Sequence, residues 1–184
     1  LLNWAEEAPG RYILEDDYDS EFRFDGKPIP ALKTLDTKDK VIYFNTFAKS
    51  LAPSLRFGYM VLPDALLQRF YQELDFYSST VSNFEHRTLY RFLSNGHFER
   101  HLNRMRKSYR TKRDALVKAL AVMDQQKRIE IYGSNSGLHI LLKINNGMSE
   151  RELIAKAMAY DVRVYGLSEY SSSGNLYEWQ DCIV

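Results

Sequence analysis

Three short apolar runs, separated by segments with helical patterning, limit the fold of this chain more than any other feature. The runs cover residues 12–14, 41–44 and 57–62. Continuous apolar runs of this length are typical of strands buried on both faces of a parallel sheet. Pro63 closes the third run and starts a helical pattern that continues to about Tyr77. The alternation of strands and helices predicts an α/β fold with a parallel-type sheet.

A long helical pattern follows and predicts a change of domain. An amphipathic helix is expected from about Ser82 to Leu93, with Asn95 and Gly96 as its C-terminal cap. Apolar side chains then recur at helical spacing over residues 98–123. A helix of that length is typical of a connector between two domains.

Beyond the long helix the pattern changes to strand, turn, strand, helix and strand, over residues 129–132, 138–144, 150–159 and 162–165. This order is typical of an α+β unit. The sequence therefore predicts a larger domain at 1–97, a connecting helix at 98–124 and a small, incomplete C-terminal domain at 125–184.

The two ends of the chain have the patterns of interrupted elements. Residues 1–7 resemble the second half of an amphipathic helix without a cap, and residues 179–184 resemble a strand with nothing to pack against. We expect the chain to be an internal piece of a longer protein.

Charge and cysteine content exclude several classes of function. The 25 Lys and Arg residues nearly balance the 24 Asp and Glu residues, so the net charge of +1 singles out neither nucleic acid nor an anionic membrane. Cys182 is the only cysteine, which excludes an internal disulfide and fits a buried strand thiol in a reducing compartment. No run approaches the roughly 20 apolar residues that a membrane span needs. We therefore expect a soluble, cytoplasmic protein.

A pair of histidines and a basic stretch lie on the long helical pattern. His97 and His101 have the spacing of the zinc-protease motif HExxH, but Phe98 stands where that motif needs glutamate, so no metal site is predicted. The basic side chains between Arg100 and Arg113 mostly point away from the apolar stripe. That distribution favours a solvated helix face over a nucleic-acid site.

Polar segments follow the first two predicted strands, over residues 15–23 and 45–56. Ligands of open α/β sheets bind outside the carboxyl ends of the strands, so these segments are the candidate site. Alternation along the first strand places Asp16 and Tyr18 on one face, with Asp17 on the other.

The two segments resemble the fold-type I enzymes that depend on pyridoxal phosphate (PLP). In particular, they resemble the aminotransferase-like domains of MocR-type transcriptional regulators of the GntR superfamily, among them the GABA-responsive regulator. The likeness runs through most of the chain and includes residues 1–5, 30–32, 59–63, 137–139 and 165–168. The resemblance implies a fragment of a fold-type I domain, in which residues 1–97 are the C-terminal part of the PLP-binding large domain.

The resemblance also implies roles for individual residues. Lys49 would hold PLP as a Schiff base and carry the proton in the 1,3-shift. Asp16 would keep the pyridine nitrogen of PLP protonated, and Tyr18 would hydrogen-bond the phenolic oxygen. Thr46 and Arg56 would bind the phosphate, since a guanidinium matches phosphate geometry.

Two of these assignments leave alternatives open. Asp17 remains the alternative to Asp16 as the partner of the pyridine nitrogen. The hydroxyl of Ser50 would either join the phosphate or cap a helix after the lysine.

Two functions share such a domain. As a sensor it would bind an amine or amino acid on PLP and signal to a DNA-binding domain outside this chain; as an enzyme it would be a free-standing aminotransferase. A structural module without cofactor is a third interpretation. The resemblance further implies a homodimer. One position departs from it, because Glu169 stands where MocR-like relatives commonly carry an arginine for the ligand carboxylate.

Overall fold

The computed structural model describes residues 1–26, 29–124, 128–170, 179 and 181–184. The chain divides into two compact units. Unit 1 comprises Leu1–Glu21 and Gly26–Arg104, and unit 2 comprises Phe22–Asp25 and Met105–Val184.

Unit 1 contains a three-stranded sheet in the order β1, β2, β3, with strands Ile13–Asp16, Val41–Thr46 and Gly58–Val61. Strands β1 and β2 are parallel, as expected, whereas β3 runs antiparallel to β2. The reason is the connection: residues 47–57 contain no crossover helix and are too short to return the chain to the start of a parallel strand.

The strands of unit 1 are more exposed to solvent than their apolar sequences led us to expect. Leu14 on β1 is 68% exposed, and all four residues of β3 are exposed, so the expectation of burial on both faces is wrong for these strands. Strands β1 and β3 are the edges of the sheet, whereas β2 has a neighbour on each side. Accordingly, Val41 and Asn45 of β2 are buried.

The helices of unit 1 mostly begin and end where the sequence predicts. Ser82 caps α4 (Asn83–Ser94) through a capping box, and Gly96 follows with a φ of 64°. The helix after Pro63 ends earlier than Tyr77. The other helices of this unit are α1 (Leu2–Glu6), α2 (Leu32–Leu35) and α3 (Asp64–Leu74).

Helix α5, His97–Met123, confirms the long helix. Its first eight residues belong to unit 1 and the remainder to unit 2. The three-part domain division stays a prediction, and its boundary after residue 124 adjoins residues 125–127, which lie outside the described ranges. None of the helices in the described ranges combines the length and the apolar character that crossing a bilayer requires.

Unit 2 contains an antiparallel sheet in the order β4, β5, β6. Its strands are Ile129–Tyr132, Leu141–Ile144 and Cys182–Ile183, and α6 (Glu150–Ala159) follows β5. Residues 162–165 do not form the predicted strand. Two backbone hydrogen bonds between Tyr165 and Val184, of 3.0 and 2.8 Å, hold that segment.

The last strand also differs from the expectation, because β6 packs against β5 instead of standing alone. Cys182 on β6 is fully buried, as expected for a strand thiol, and burial raises the pKa of the thiol. Gln180, part of the predicted terminal strand, lies outside the described residues.

Candidate functional site

The carboxyl ends of β1 and β2 bring two of the predicted site residues to one face of the sheet. Asp16, the last residue of β1, pairs with Phe44 of β2, and Thr46 ends β2 two residues later. Paired residues share a face, and residues two apart on a strand share it as well. Asp16 and Thr46 therefore lie on the same face of the sheet, at the carboxyl ends of their strands.

The opposite face holds the carboxylates on either side of Asp16. Glu15 accepts hydrogen bonds from the backbone N–H groups of Leu32 and Lys33 at 2.5 and 2.8 Å, which places a negative charge at the start of α2. Asp17 accepts a 2.8 Å hydrogen bond from the hydroxyl of Tyr43. Both carboxylates thus have structural partners within unit 1.

Tyr43 belongs to a short polar chain on that opposite face. The amide Nδ2 of Asn45 donates to the Tyr43 hydroxyl at 2.9 Å, and the hydroxyl donates to Asp17. Burial raises the pKa of Tyr43 far above its usual range, and the Asp17 carboxylate adds to that rise. Tyr43 therefore remains a protonated donor. The only sequence signal of this polar chain is a tyrosine inside an apolar run followed by an asparagine, which matches no catalytic motif.

Lys49 lies on the segment that we call the lysine loop, residues 47–57. Its ends are joined by the backbone N–H of Phe47, which donates to the Phe57 carbonyl at 3.4 Å. The Thr46 hydroxyl accepts from the N–H of Ala48 at 3.2 Å and donates to the same carbonyl at 3.4 Å. Lys49 itself is exposed.

Aromatic packing holds one side of the lysine loop. The Phe47 ring lies 5.8 Å from the Phe57 ring, 5.6 Å from the Tyr59 ring and 6.0 Å from the Phe98 ring. Aromatic contacts of this kind stabilise the fold by more than the burial of their apolar area alone. The residue two before Lys49 is thus fixed to β3 and to α5.

A hydrogen bond holds the other side of the lysine loop. His101 Nε2 donates to the backbone carbonyl of Ser50 at 3.0 Å. The Ser50 side chain is buried, and its hydroxyl makes no hydrogen bond to any described residue. Helix capping therefore does not account for this hydroxyl, which leaves a buried donor beside Lys49 that a ligand group would satisfy.

Arg56 and Tyr18 complete the predicted set, and both are exposed. Arg56 stands two residues before Gly58, which pairs with Thr46. A Cβ on Gly58 would overlap the carbonyl oxygen of Asn45, so glycine allows β3 to approach β2 at this point. Arg56 therefore lies near the end of β2, where Thr46 lies. Tyr18 follows Asp16 by two residues.

Glu169 lies in unit 2, on a 3₁₀ turn at Leu167–Tyr170, and is exposed. Glu150 holds that turn: its carboxylate accepts from the N–H of Ser168 at 3.1 Å and from the Ser168 hydroxyl. Gly166 stands against the same carboxylate, where a Cβ would overlap it.

The chemistry of the edge suits a phosphorylated aromatic aldehyde better than a metal ion. Within the described ranges no group of three His, Cys, Asp or Glu side chains could hold a metal, and the Nδ1 of His97 pairs with Arg100 at 2.8 Å. A guanidinium and hydroxyl groups suit a phosphate, a carboxylate suits a protonated ring nitrogen, and a lysine amine suits an aldehyde.

Three comparisons with known proteins bear on the whole chain. The model of the family described as "Aminotransferase class I and II" matches residues 3–174. The HTH-type transcriptional regulator YdeL of Bacillus subtilis (strain 168) is 45% identical over 168 residues, which cover 91% of this chain and 36% of YdeL. The probable rhizopine catabolism regulatory protein MocR of Rhizobium meliloti is 35% identical over 157 residues, 85% of this chain and 32% of that protein.

Among solved structures, LysN, an α-aminoadipate aminotransferase of Thermus thermophilus, superimposes with a TM-score of 0.80 at 24% identity. The match covers 99% of this chain and 46% of LysN, whose structure was determined with N-(5'-phosphopyridoxyl)-L-leucine. The chain spans about a third of the length of the two regulators.

Proposed function

The chain belongs to the aminotransferase class I and II family, and on that premise we propose that it is the PLP-binding, ligand-sensing domain of a MocR/GntR-type transcriptional regulator. The observation that carries the proposal is the 45% identity to an HTH-type regulator over 91% of the chain. The fold-type I architecture is shared with aminotransferases, so it does not by itself distinguish a sensor from an enzyme.

Pyridoxal phosphate is the cofactor that the proposal assigns to this chain. When bound, PLP supplies an electron sink for chemistry on an amine. The fit rests on the donor set at one sheet edge and on the buried Ser50 hydroxyl beside Lys49, which has no hydrogen-bond partner among the described residues.

Asp16 and Lys49 would hold the two reactive ends of the cofactor. The Asp16 carboxylate would face the ring nitrogen and keep a proton there, since it lies on the face away from the Asp17–Tyr43 pair. The Lys49 amine would bond the cofactor carbon and afterwards move a proton between atoms of the bound ligand. Anchoring of the lysine loop at Phe47 and Ser50 limits how far that amine moves.

Thr46, Arg56 and Tyr18 would orient the cofactor. Arg56 supplies a charged fork for the phosphate, and the Thr46 hydroxyl would donate its one proton to the phosphate in place of the Phe57 carbonyl while it still accepts from the N–H of Ala48. Tyr18 would donate to the oxygen on the ring, from the same side as Asp16.

The partners of the whole protein follow from its proposed class. A small amine or amino acid is the ligand, DNA is bound through a domain outside this chain, and the intact protein is a homodimer in the cytoplasm. Ligand binding on PLP would change the protein's affinity for DNA, which is a coupling between two sites.

A free-standing aminotransferase is the second candidate, supported by the match of the aminotransferase family model to residues 3–174. The two functions differ in turnover. We expect the full-length protein to change its affinity for its operator DNA on addition of an amine ligand, measured by fluorescence anisotropy, and to convert little 2-oxo acid to amino acid. Rapid transamination without any DNA binding would contradict the sensor function and support the aminotransferase.

A further inference from the structure

Asp17 follows the proposed site residue Asp16 and is tied to the neighbouring strand twice. Its carboxylate accepts a 2.8 Å hydrogen bond from the hydroxyl of Tyr43, and its backbone N–H donates to the carbonyl of Phe44 at 2.9 Å. Tyr43 and Phe44 both belong to β2. The residue just beyond the end of β1 is therefore fixed by its side chain and by its backbone.

The orientation of Tyr43 is fixed in turn by Asn45. The side-chain amide of Asn45 donates to the Tyr43 hydroxyl at 2.9 Å, and Asn45 is only 8% exposed. The hydroxyl thus accepts from Asn45 and donates to Asp17. Because burial raises the pKa of Tyr43, the phenol keeps its proton and its role as donor at neutral pH.

These contacts bear on Asp16 through strand geometry. Neighbouring residues of a strand point to opposite faces, so holding Asp17 against Tyr43 turns Asp16 to the other face, where Thr46 lies. We propose that Tyr43 and Asp17 are positioning residues, which hold the carboxyl end of β1 so that the Asp16 carboxylate meets the cofactor ring. The inference rests on the proposed function, because it requires a cofactor at Asp16.

Tyr43→Phe tests the pair with the loss of one oxygen atom. The full-length protein is freed of cofactor and titrated with pyridoxal 5'-phosphate, and binding is followed by visible absorbance. We expect the apparent Kd of Tyr43→Phe to rise about tenfold, since the half-buried carboxylate of Asp17 loses its donor. We also expect its visible absorption maximum to shift, because the carboxylate facing the ring nitrogen moves.

Two substitutions at Asp17 separate geometry from charge. The amide oxygen of Asp17→Asn still accepts from Tyr43, so its Kd should stay within about threefold of wild type, whereas Asp17→Ala should resemble Tyr43→Phe. The double variant with Tyr43→Phe and Asp17→Ala should bind no more weakly than the more affected single variant, because both remove one interaction. Additive losses would overturn the inference.

Val41→Ala is the matched control for a loss of stability alone. Val41 is fully buried on the same face of β2, at the end of the strand away from Asp16. It should lower Tm at least as much as Tyr43→Phe and leave the Kd and the absorption maximum unchanged. If it weakens binding equally, Tyr43 is only structural. If Lys49→Ala binds as wild type does, the proposed function fails; if only Tyr43→Phe is silent, this inference alone fails.

Discussion

Thr46 pairs with Gly58 across β2 and β3, and at that point the two backbones leave no room for a Cβ on the glycine. The added atom would overlap the Asn45 carbonyl oxygen and lie 3.3 Å from the Cα of Thr46. This close pairing therefore holds Arg56, two residues before Gly58, near the end of β2.

The first prediction concerns this pairing. Gly58→Ala should lower the free energy of unfolding by about 1–3 kcal/mol, because the strands must separate to admit the methyl group. It should also weaken PLP binding, since Thr46 and Arg56 are displaced. Urea unfolding and PLP titration of the full-length protein measure both effects. Gly10→Ala is the control: nothing lies within 4 Å of its added Cβ, so it should change stability by less than about 0.5 kcal/mol.

The second prediction concerns the covalent attachment of PLP. Lys49→Ala should abolish the visible absorbance of the purified protein, because the amine that bonds the cofactor is lost. Borohydride reduction of the wild type, followed by peptide mapping, should place the label on Lys49. Lys38→Ala, at another exposed lysine, should keep the absorbance. Label on any other lysine would rule out the assignment.

The third prediction separates the two neighbouring aspartates. Asp16→Asn should leave some PLP bound but slow its reaction with an amine by about two orders of magnitude or more, as the loss of a preorganised charge does. Asp17→Asn should have little effect, because its oxygen still accepts from Tyr43. Stopped-flow absorbance measures both rates. If Asp17→Asn slows the reaction strongly and Asp16→Asn does not, Asp17 is the residue that faces the ring nitrogen.

The fourth prediction is a pH dependence of stability at Asp36. Burial alone would raise its pKa, but hydrogen bonds from the N–H groups of Val41, Lys40 and Lys38, together with nearby Lys33, outweigh burial and lower the pKa. A lowered folded-state pKa means that the stabilisation is full above the unfolded value, about 3.9, and is lost as pH falls through the folded value.

Asp36→Asn should therefore be less stable than wild type at pH 7 and lose less stability between about pH 4 and pH 2. Thermal unfolding across that range checks the difference between the two proteins. Asp75→Asn, at an exposed helix end, is the control and should follow the wild-type curve. Parallel curves for wild type and Asp36→Asn would contradict the prediction.

The last prediction concerns ligand choice. Glu169 stands where MocR-like relatives commonly carry an arginine, and an acid there would repel a ligand carboxylate. We expect that the full-length protein does not recognise GABA or a common amino-acid carboxylate through position 169, and that Glu169→Arg gains affinity for carboxylate ligands. Titrations followed by visible absorbance test this. Carboxylates that bind well to wild type, and no better to Glu169→Arg, would show that Glu169 lies outside the pocket.

The sequence determined the elements and the segments that carry chemistry, because these depend on local patterns. Apolar runs located the strands near Ile13 and Val41, helical spacing located α5, and the polar segments after two strands marked the candidate site. Strand alternation also placed Asp16 and Asp17 on opposite faces. These properties depend on residues a few positions apart, which is the range over which propensity and periodicity act.

Tertiary structure decided how the elements pair and which polar groups satisfy one another. The exposure of Leu14, the bond between Tyr43 and Asp17, and the bond between His101 and Ser50 all depend on residues distant in sequence. No local pattern encodes such partners, since a hydrogen bond forms wherever the folded backbone brings a donor to an acceptor. For that reason the sequence named Asp17 as a rival to Asp16, and only the partner on β2 gave Asp17 a different role.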